Sequence, residues 1–375
     1  MLSKEEIARY NRHLILPDFV VSCQEKLKRA KVLVIGAGGL GSPVLLYLTS
    51  AGVGEIGIID FDVVDESNLQ RQIVFLQNDV GKPKAEVAAA KLAQQNPHVK
   101  FNVYPMRLQN KNALEIISHY DVVVDGSDNF ATRYLVNDAC VLLNKPLVYG
   151  AVYKFEGQVS VFNYNTAGPT YRCLFPIPPA AGSVANCSEI GVLGILPGIV
   201  GTLQATEAIK IITGIGEVLS GKILLIDALR MNFSFIELNR NENVWKEMIP
   251  ATPAEFLKTD YDYFCGSKTE VPEVKKITVA ELLKINEDNN DLQFLDVREP
   301  GEDPQVDELK ELRIPLANIQ KRANEISRTK KVIVICKSGI RSRNAIEQLE
   351  KEFGFTNLYN LEGGVMEWIN QHQLK

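Results

Sequence analysis

Short runs rich in Val, Ile and Leu recur through the first half of the chain, at Lys31–Ile35, Ile56–Asp60, Val99–Tyr104, Val122–Asp125 and Leu147–Val148. Nearly continuous apolar runs of this length predict strands buried on both faces. Between them, apolar positions repeat at helical spacing over Ala85–Asn96 and Thr132–Leu142, which predicts helices. The alternation from Ala30 to Tyr164 predicts an α/β, doubly wound sheet. Val152–Tyr164 alternates around Gly157 and predicts a later hairpin. Thr166–Gly194, rich in Pro, Gly and Ala with little periodicity, predicts a long mobile loop. A helix is expected over Gly201–Thr213 and strands over Lys222–Asp227 and Phe233–Glu237. Asn239–Lys276, polar with scattered aromatics and prolines, is expected to be a linker. A second alternating unit then starts at Ile277, with helix Val279–Asn286, strands Gln293–Val297 and Lys331–Cys336, helix Ser342–Phe353 and strand Asn357–Tyr359. The organisation expected is a domain over residues 1–238, a linker over 239–276 and a smaller α/β domain over 277–375.

With 375 residues, 46% of them hydrophobic and 23% charged, the chain suits about two globular domains. A net charge of -5 and the lack of a basic run interleaved with aromatics argue against general nucleic-acid binding. The N-terminus has no basic-then-apolar signal pattern, and no apolar run approaches the ~18 residues of a membrane span; a cytoplasmic location is expected. The six cysteines are scattered without a C-x-x-C pair, and His13, His98, His119 and His372 stand apart. That distribution argues against a disulfide framework, a zinc knuckle and histidine-based chemistry.

Two strand-ending motifs can hold anions on backbone N–H groups. Gly36-Ala37-Gly38-Gly39-Leu40-Gly41 follows the first strand, and Cys336-Lys337-Ser338-Gly339-Ile340-Arg341-Ser342 follows Val332–Ile335. The glycine cluster and Asp60 downstream fit a dinucleotide-binding turn, and with it a nicotinamide- or flavin-dependent oxidoreductase. The residues that follow suit a triphosphate better. Asp60 can accept hydrogen bonds from ribose hydroxyls, Arg71 and Lys84 can offset phosphate charge, and Asp128 can hold the magnesium ion that accompanies ATP. Taken singly, Lys84 also fits a solvated first-turn residue and Asp128 a helix cap. Every member of the set, however, ends a strand or starts a helix.

Residues 1–238 resemble the MoeB/ThiF branch of the ubiquitin-activating enzyme superfamily. The matching residues are Arg9–His13, the glycine cluster, Asp60-Phe61-Asp62, Ser67–Gln72, Gly81–Lys84 and Ser127-Asp128-Asn129. The resemblance implies a Rossmann-like mixed sheet and ATP-dependent adenylation of the C-terminal glycine of a small ubiquitin-like, MoaD/ThiS-like sulfur carrier. It also implies a homodimer in which Arg12 reaches the phosphates of the neighbouring subunit. Gly36, Gly38, Gly39, Gly41, Asp60, Asp62, Asn68, Arg71, Lys84 and Asp128 are the expected nucleotide residues. Arg12, Arg71, Lys84 and Asp128 carry the expected catalysis. A carboxylate attacking the α-phosphate needs positioning and charge neutralisation rather than a histidine. A non-catalytic scaffold of this fold is the third reading, and the complete charged set argues against it.

The chain departs from that family at its structural zinc. Members usually carry two C-x-x-C pairs, but here the first reads Thr170-Tyr171-Arg172-Cys173 and Arg240–Trp245 holds no cysteine. A tetrathiolate site needs all four ligands, so zinc is expected to be absent. Cys187, in the expected loop, lies where the resemblance places a cysteine able to bond to the activated carrier or to sulfur. Cys23, Cys140 and Cys265 receive no role.

About Ile277–Gln373 resembles a rhodanese-type sulfurtransferase, through the Cys336 loop, Leu295–Pro300 and Leu361–Trp368. Backbone N–H groups, a helix N-terminus and Arg341 around Cys336 suit an anionic sulfur and its persulfide. After Pro300, Gly301–Glu308 lacks the usual aromatic and Gly-His pattern. The joint expectation is an adenylyltransferase and sulfurtransferase that converts the carrier's C-terminus to a thiocarboxylate with sulfur from an upstream persulfide donor. The carrier's pathway, whether molybdopterin, thiamine, tRNA thiolation or cysteine synthesis, stays open.

Overall fold

Alternate residues of the first strand, β1 (Lys31–Ile35), feed two different cores. Val32 and Val34 pack with helices Gly41–Ala51 and Lys84–Gln95 on one face, and Leu33 and Ile35 pack with helices Asn110–Ser118 and Phe130–Leu142 on the other. That is the arrangement an uninterrupted apolar strand requires. The structure, a computed structural model, describes residues 1–165, 168–179, 191–265, 274–286, 291–306, 309 and 311–372. It divides into two units, Met1–Ser267 and Lys268–Lys375.

In the first unit β1 is joined by β2 (Glu55–Ile59), β3 (Lys100–Tyr104), β4 (Val122–Asp125), β5 (Leu147–Tyr153), β6 (Glu156–Phe162), β7 (Lys222–Asp227) and β8 (Asn232–Glu237). The sheet order is β3-β2-β1-β4-β5-β6-β7-β8. The first five strands run parallel and the remainder form an antiparallel meander. This is the Rossmann-like mixed sheet expected, with the strand order reversing between β1 and β4.

The hairpin forms earlier than its alternation suggests, because β5 pairs with β6 from Leu147 opposite Phe162 to Tyr153 opposite Glu156. Gly157 therefore lies within a strand, where a Cβ would sit 2.6 Å from Val200 Cγ2. Val200 belongs to helix Ile195–Thr213, which starts six residues before the Gly201 expected. This helix of 19 residues is long and apolar enough by composition to cross a membrane, and its buried Leu196, Val200, Ala205 and Ala208 pack into the cores of the first unit. Gln204, fully buried in it, donates to the main chain of Asp125 at 2.7 Å. Within the expected loop, Tyr171–Leu174 is helical with Tyr171 and Arg172 buried. Residues 180–190, and with them Cys187, lie outside the described residues.

The segment expected as a linker folds onto the first unit up to Cys265. It contains helices Glu242–Met248, Pro253–Lys258 and Tyr261–Phe264, each too short to show a period in the sequence. Phe256 and Tyr261 are buried in the same core as Tyr134 and Leu147. Asp138 ties the segment down: it accepts from Arg172 Nε at 2.8 Å, Arg172 Nη2 at 2.7 Å and the Tyr261 hydroxyl at 2.9 Å. The Arg172 guanidinium lies 4.9 Å from the ring centroids of both Tyr134 and Phe264, so this buried charge is paired and lined by aromatic faces.

In the second unit β9 (Lys276–Ile277), β10 (Leu292–Asp296), β11 (Leu312–Arg313), β12 (Lys331–Ile335) and β13 (Leu358–Leu361) form a parallel sheet ordered β11-β10-β12-β13-β9. Val332 and Val334 enter one core, Ile333 and Ile335 the other. Helices Ile340–Phe353 and Gly364–His372 close it.

Replacing Phe256 by Ala should lower the stability of the first unit by about 3–5 kcal/mol in chemical denaturation, the cost of a large-to-small change in a packed core. A midpoint unchanged from wild type would mean that the segment does behave as a linker.

Candidate functional site

At the reversal between β1 and β4 the two strand-ending turns come together without side chains. Gly36 has φ +86°, and a Cβ there would lie 3.0 Å from the carbonyl oxygen of Gly126. A Cβ on Gly41, at the start of the following helix, would lie 1.8 Å from the carbonyl oxygen of Gly36. The turn is thereby closed so tightly that only glycine fits. Gly39 faces Pro197, 3.1 Å from its would-be Cβ. Outside the carboxyl ends of these strands opens a cavity of about 570 Å³, the place where ligands bind in open α/β sheets.

The cavity collects most of the expected residues. Gly36, Gly38, Gly39, Asp60, Asp62, Arg71, Lys84 and Asp128 line it. Asp60 directly follows the second strand and accepts from Ala37 N and Asp62 N, both at 2.8 Å. Its burial raises its pKa above the ordinary carboxylate value despite those two hydrogen bonds. Each oxygen keeps a further lone pair for a ribose hydroxyl. Lys84 is buried, and its Nζ lies 3.0 Å from Asp62 Oδ2, so the ammonium is held by a carboxylate rather than solvated. Arg71 donates to the Ser67 carbonyl at 3.0 Å. The helix after β4 is capped by Asn129, which accepts from Thr132 N at 2.9 Å; Asp128 is exposed beside it and is not the cap.

Three expected residues stand apart from the lining. Gly41 acts through the turn it permits. Asn68 supports the Arg71 segment, its Oδ1 accepting from Asp65 N at 3.3 Å. Arg12 is exposed on the short helix Asn11–Leu14 and is not among the residues lining the cavity of its own chain.

The structure adds residues that spacing did not single out. Gln72 is buried against the glycine turn, and its Oε1 has no hydrogen-bond partner among the described residues. A buried acceptor at the wall of a cavity is a place for a ligand donor. Arg133, one turn into the helix after β4, also lines the cavity, with its guanidinium 5.6 Å from the Tyr149 ring centroid.

Where the resemblance led to the expectation of a zinc ligand, Cys173 Sγ accepts from Thr170 N and Asn241 N, each at 3.4 Å, and lies 3.5 Å from Thr170 Oγ1. One thiol among amides and a hydroxyl does not fit a tetrathiolate ion. Among the described residues no cluster of three or more potential metal ligands occurs.

In the second unit, Cys336 is buried at the end of β12. Its sulfur accepts from Gly339 N at 3.2 Å and lies 3.4 Å from Ser342 Oγ. Ser342 Oγ is also 2.6 Å from Asn360 Oδ1, so its single proton serves the sulfur or the amide, one at a time. The carbonyls of Cys336 and Lys337 accept from Val365 N and Met366 N at the start of the last helix. A Cβ on Gly364 would lie 2.3 Å from the Cys336 carbonyl oxygen, so this close approach again depends on glycine. Arg341 is half-buried and paired with Glu302.

Comparison with known proteins matches a family model to each of the two regions. Residues 10–246 match the ThiF family and residues 278–371 the rhodanese-like domain. Over 99% of this chain and 95% of the relative, the sequence is 44% identical to the protein of Mycobacterium tuberculosis named "Probable adenylyltransferase/sulfurtransferase MoeZ". It is 52% identical to the sulfur carrier protein adenylyltransferase of Thermus thermophilus, over 70% of this chain and 98% of that one. It is 40% identical to the adenylyltransferase and sulfurtransferase MOCS3 of Arabidopsis thaliana, over 98% and 84%. Among solved structures, E. coli MccB with ATP is similar at 25% identity and TM-score 0.55, over 62% of this chain and 71% of that one.

Proposed function

The chain belongs to the ThiF family and carries a rhodanese-like domain, and from the geometry of its two sites we infer how it works as an adenylyltransferase and sulfurtransferase. The observation that carries the reading is the glycine-walled cavity into which Arg71, Lys84, Asp60 and Asp128 converge without a histidine.

ATP is the substrate of the first site. The backbone N–H groups of the glycine turn and the cations of Arg71 and Lys84 face its phosphates, and Asp60 faces the ribose. A carrier carboxylate attacks the α-phosphorus, pyrophosphate leaves and an acyl-adenylate forms. The fixed charges act mainly by stabilising the negative charge that builds up between attacking and leaving oxygens. Magnesium, if held as the triphosphate's usual companion, would take Asp128 as its protein ligand beside phosphate oxygens. The proposed carrier is a ubiquitin-like protein ending in Gly-Gly.

Cys336 is the proposed bearer of the sulfur. Loaded as a persulfide by an upstream donor, it is held by the Gly339 N–H and the Ser342 hydroxyl until its outer sulfur attacks the acyl carbon and displaces AMP, giving an acyl disulfide; attack of a second thiol on the Cys336 sulfur then breaks the sulfur–sulfur bond, releases the carrier thiocarboxylate and leaves a disulfide on Cys336. Cys187 is the proposed second thiol on the activated carrier or its sulfur. Joining both activities in one chain raises the effective concentration of sulfur at the adenylate.

We further propose a homodimer in which Arg12 completes the partner's cavity, since it does not line its own. Zinc is expected to be absent. Elemental analysis of the purified protein checks this, and one zinc per chain would refute it.

The first test is ATP–pyrophosphate exchange with candidate carriers. Arg71→Ala should reduce carrier-dependent exchange by about 10²–10³-fold, the loss typical of one preorganised charge-stabilising group. Cys336→Ala should leave exchange unchanged while abolishing thiocarboxylate formation by mass spectrometry; full thiocarboxylation by that variant would remove Cys336 from the mechanism. Mixing Arg12→Ala and Arg71→Ala subunits in equal amounts should restore about a quarter of wild-type sites, as random pairing in a symmetric dimer gives. No recovery on mixing would place Arg12 in its own subunit's chemistry or outside it.

A further inference from the structure

Arg341 lies five positions after Cys336, and its guanidinium is gripped by both oxygens of Glu302. Nη1 meets Oε2 at 2.8 Å and Nη2 meets Oε1 at 2.5 Å. The two side chains are 35% and 23% exposed. The hydrogen bond to Arg341 holds the Glu302 carboxyl below its ordinary pKa. Arg341 is held above its own, first by the hydrogen bond to Glu302 and, more weakly, by the Cys336 sulfur. Arg341 stands in the first turn of the helix whose N-cap, Gly339, donates to the Cys336 sulfur, so the carboxylate is delivered to the same loop.

Glu302 is built into this position. Arg298, fully buried, is paired with Asp296 at 2.7–3.0 Å and donates through Nη1 to the Pro304 carbonyl at 2.6 Å, with the Glu302 carbonyl at 3.5 Å. Glu302 N donates to the Glu299 carbonyl at 3.2 Å. Residues 302–304, at the start of the segment that departs from the rhodanese sequence pattern, are thus held by Arg298, and this places the Glu302 carboxylate against Arg341 of the Cys336 loop.

A guanidinium bound bidentately by a carboxylate no longer presents a net charge to an approaching anion. The other cation of the loop, Lys337, is exposed to solvent, where screening weakens it. We propose that Glu302 is a specificity-determining residue of the sulfur-transfer site: by pairing with Arg341 it cancels the charge that would draw a free dianionic donor such as thiosulfate to Cys336, and so favours donors of lower charge, of which thiol-bound persulfides are one class. This rests on the reading of Cys336 as the sulfur-bearing group.

With thiosulfate the step is attack of the Cys336 thiolate on the outer sulfur. The sulfur–sulfur bond breaks, sulfite leaves with the bonding pair and Cys336 keeps a persulfide anion. Cyanide then removes that sulfur as thiocyanate and restores the thiolate. Benzenethiosulfonate reacts in the same way with benzenesulfinate as leaving group, but carries one negative charge instead of two.

The experiment compares thiocyanate production by the full chain and its Glu302→Gln variant with both donors, at low and high salt. Unmasking Arg341 should raise kcat/KM for thiosulfate by about tenfold and for benzenethiosulfonate by about threefold, with added salt erasing the gain. Adding Arg341→Gln to the variant should abolish the thiosulfate gain. The proposal is overturned if Glu302→Gln lowers the thiosulfate value, if both donors change by the same factor, or if the gain survives removal of Arg341. Wild-type and variant protein that form no thiocyanate from either donor while retaining ATP–pyrophosphate exchange would overturn the sulfur-transfer reading itself.

Discussion

Between β1 and β4 the chain needs two turns to pass within van der Waals contact, and a single Cβ would prevent it. The Gly41 position, 1.8 Å from the Gly36 carbonyl oxygen once a Cβ is added, has no room for any other residue. From this contact the rest of the first unit follows. The helix starting at Gly41 can lie close to β1, Gly126 can end β4 beside Gly36, and an anion can approach main-chain donors without side chains in the way. Gln204 strengthens the same place from the opposite side by binding the main chain of Asp125.

The charged residues around this turn are held rather than loose. Asp60 is locked by Ala37 N and Asp62 N, and Lys84 by Asp62. Groups fixed before the substrate arrives need no reorganisation as charge moves during phosphoryl transfer, which is where such sites gain their rate.

The second unit uses the same device around a sulfur atom. A strand-ending cysteine takes the place of a phosphate, the Gly339 N–H faces sulfur, and Gly364 allows the last helix to close over the loop. Its buried Asp296–Arg298 pair organises a loop rather than simply filling the core. That matches the view that a buried ion pair acts more through the geometry it imposes than through net stability.

Much of this was legible from residue order because it is local. Continuous apolar strands, glycines in a turn, a lysine opening a helix and a cysteine before a helix each declare themselves within a few positions, whereas Arg71 lies in a turn between elements. The doubly wound class, the lining by Gly36, Gly38, Gly39, Asp60, Asp62, Arg71, Lys84 and Asp128, and the Cys336 loop were all expected from residue order and the family resemblance. The features that escaped depend on partners far along the chain. Short helices in residues 239–265 carry too few apolar positions to show a period, and only burial of Phe256 and Tyr261 reveals them as part of the first unit. The hairpin register depended on Gly157 admitting Val200, and the placement of Gln72 and Arg133 on the cavity wall depended on how their helices and turns pack. Glu302 and Arg341 are 39 residues apart, and no spacing rule links them. Tertiary structure alone brings them together, because a buried arginine holds the loop that carries the glutamate.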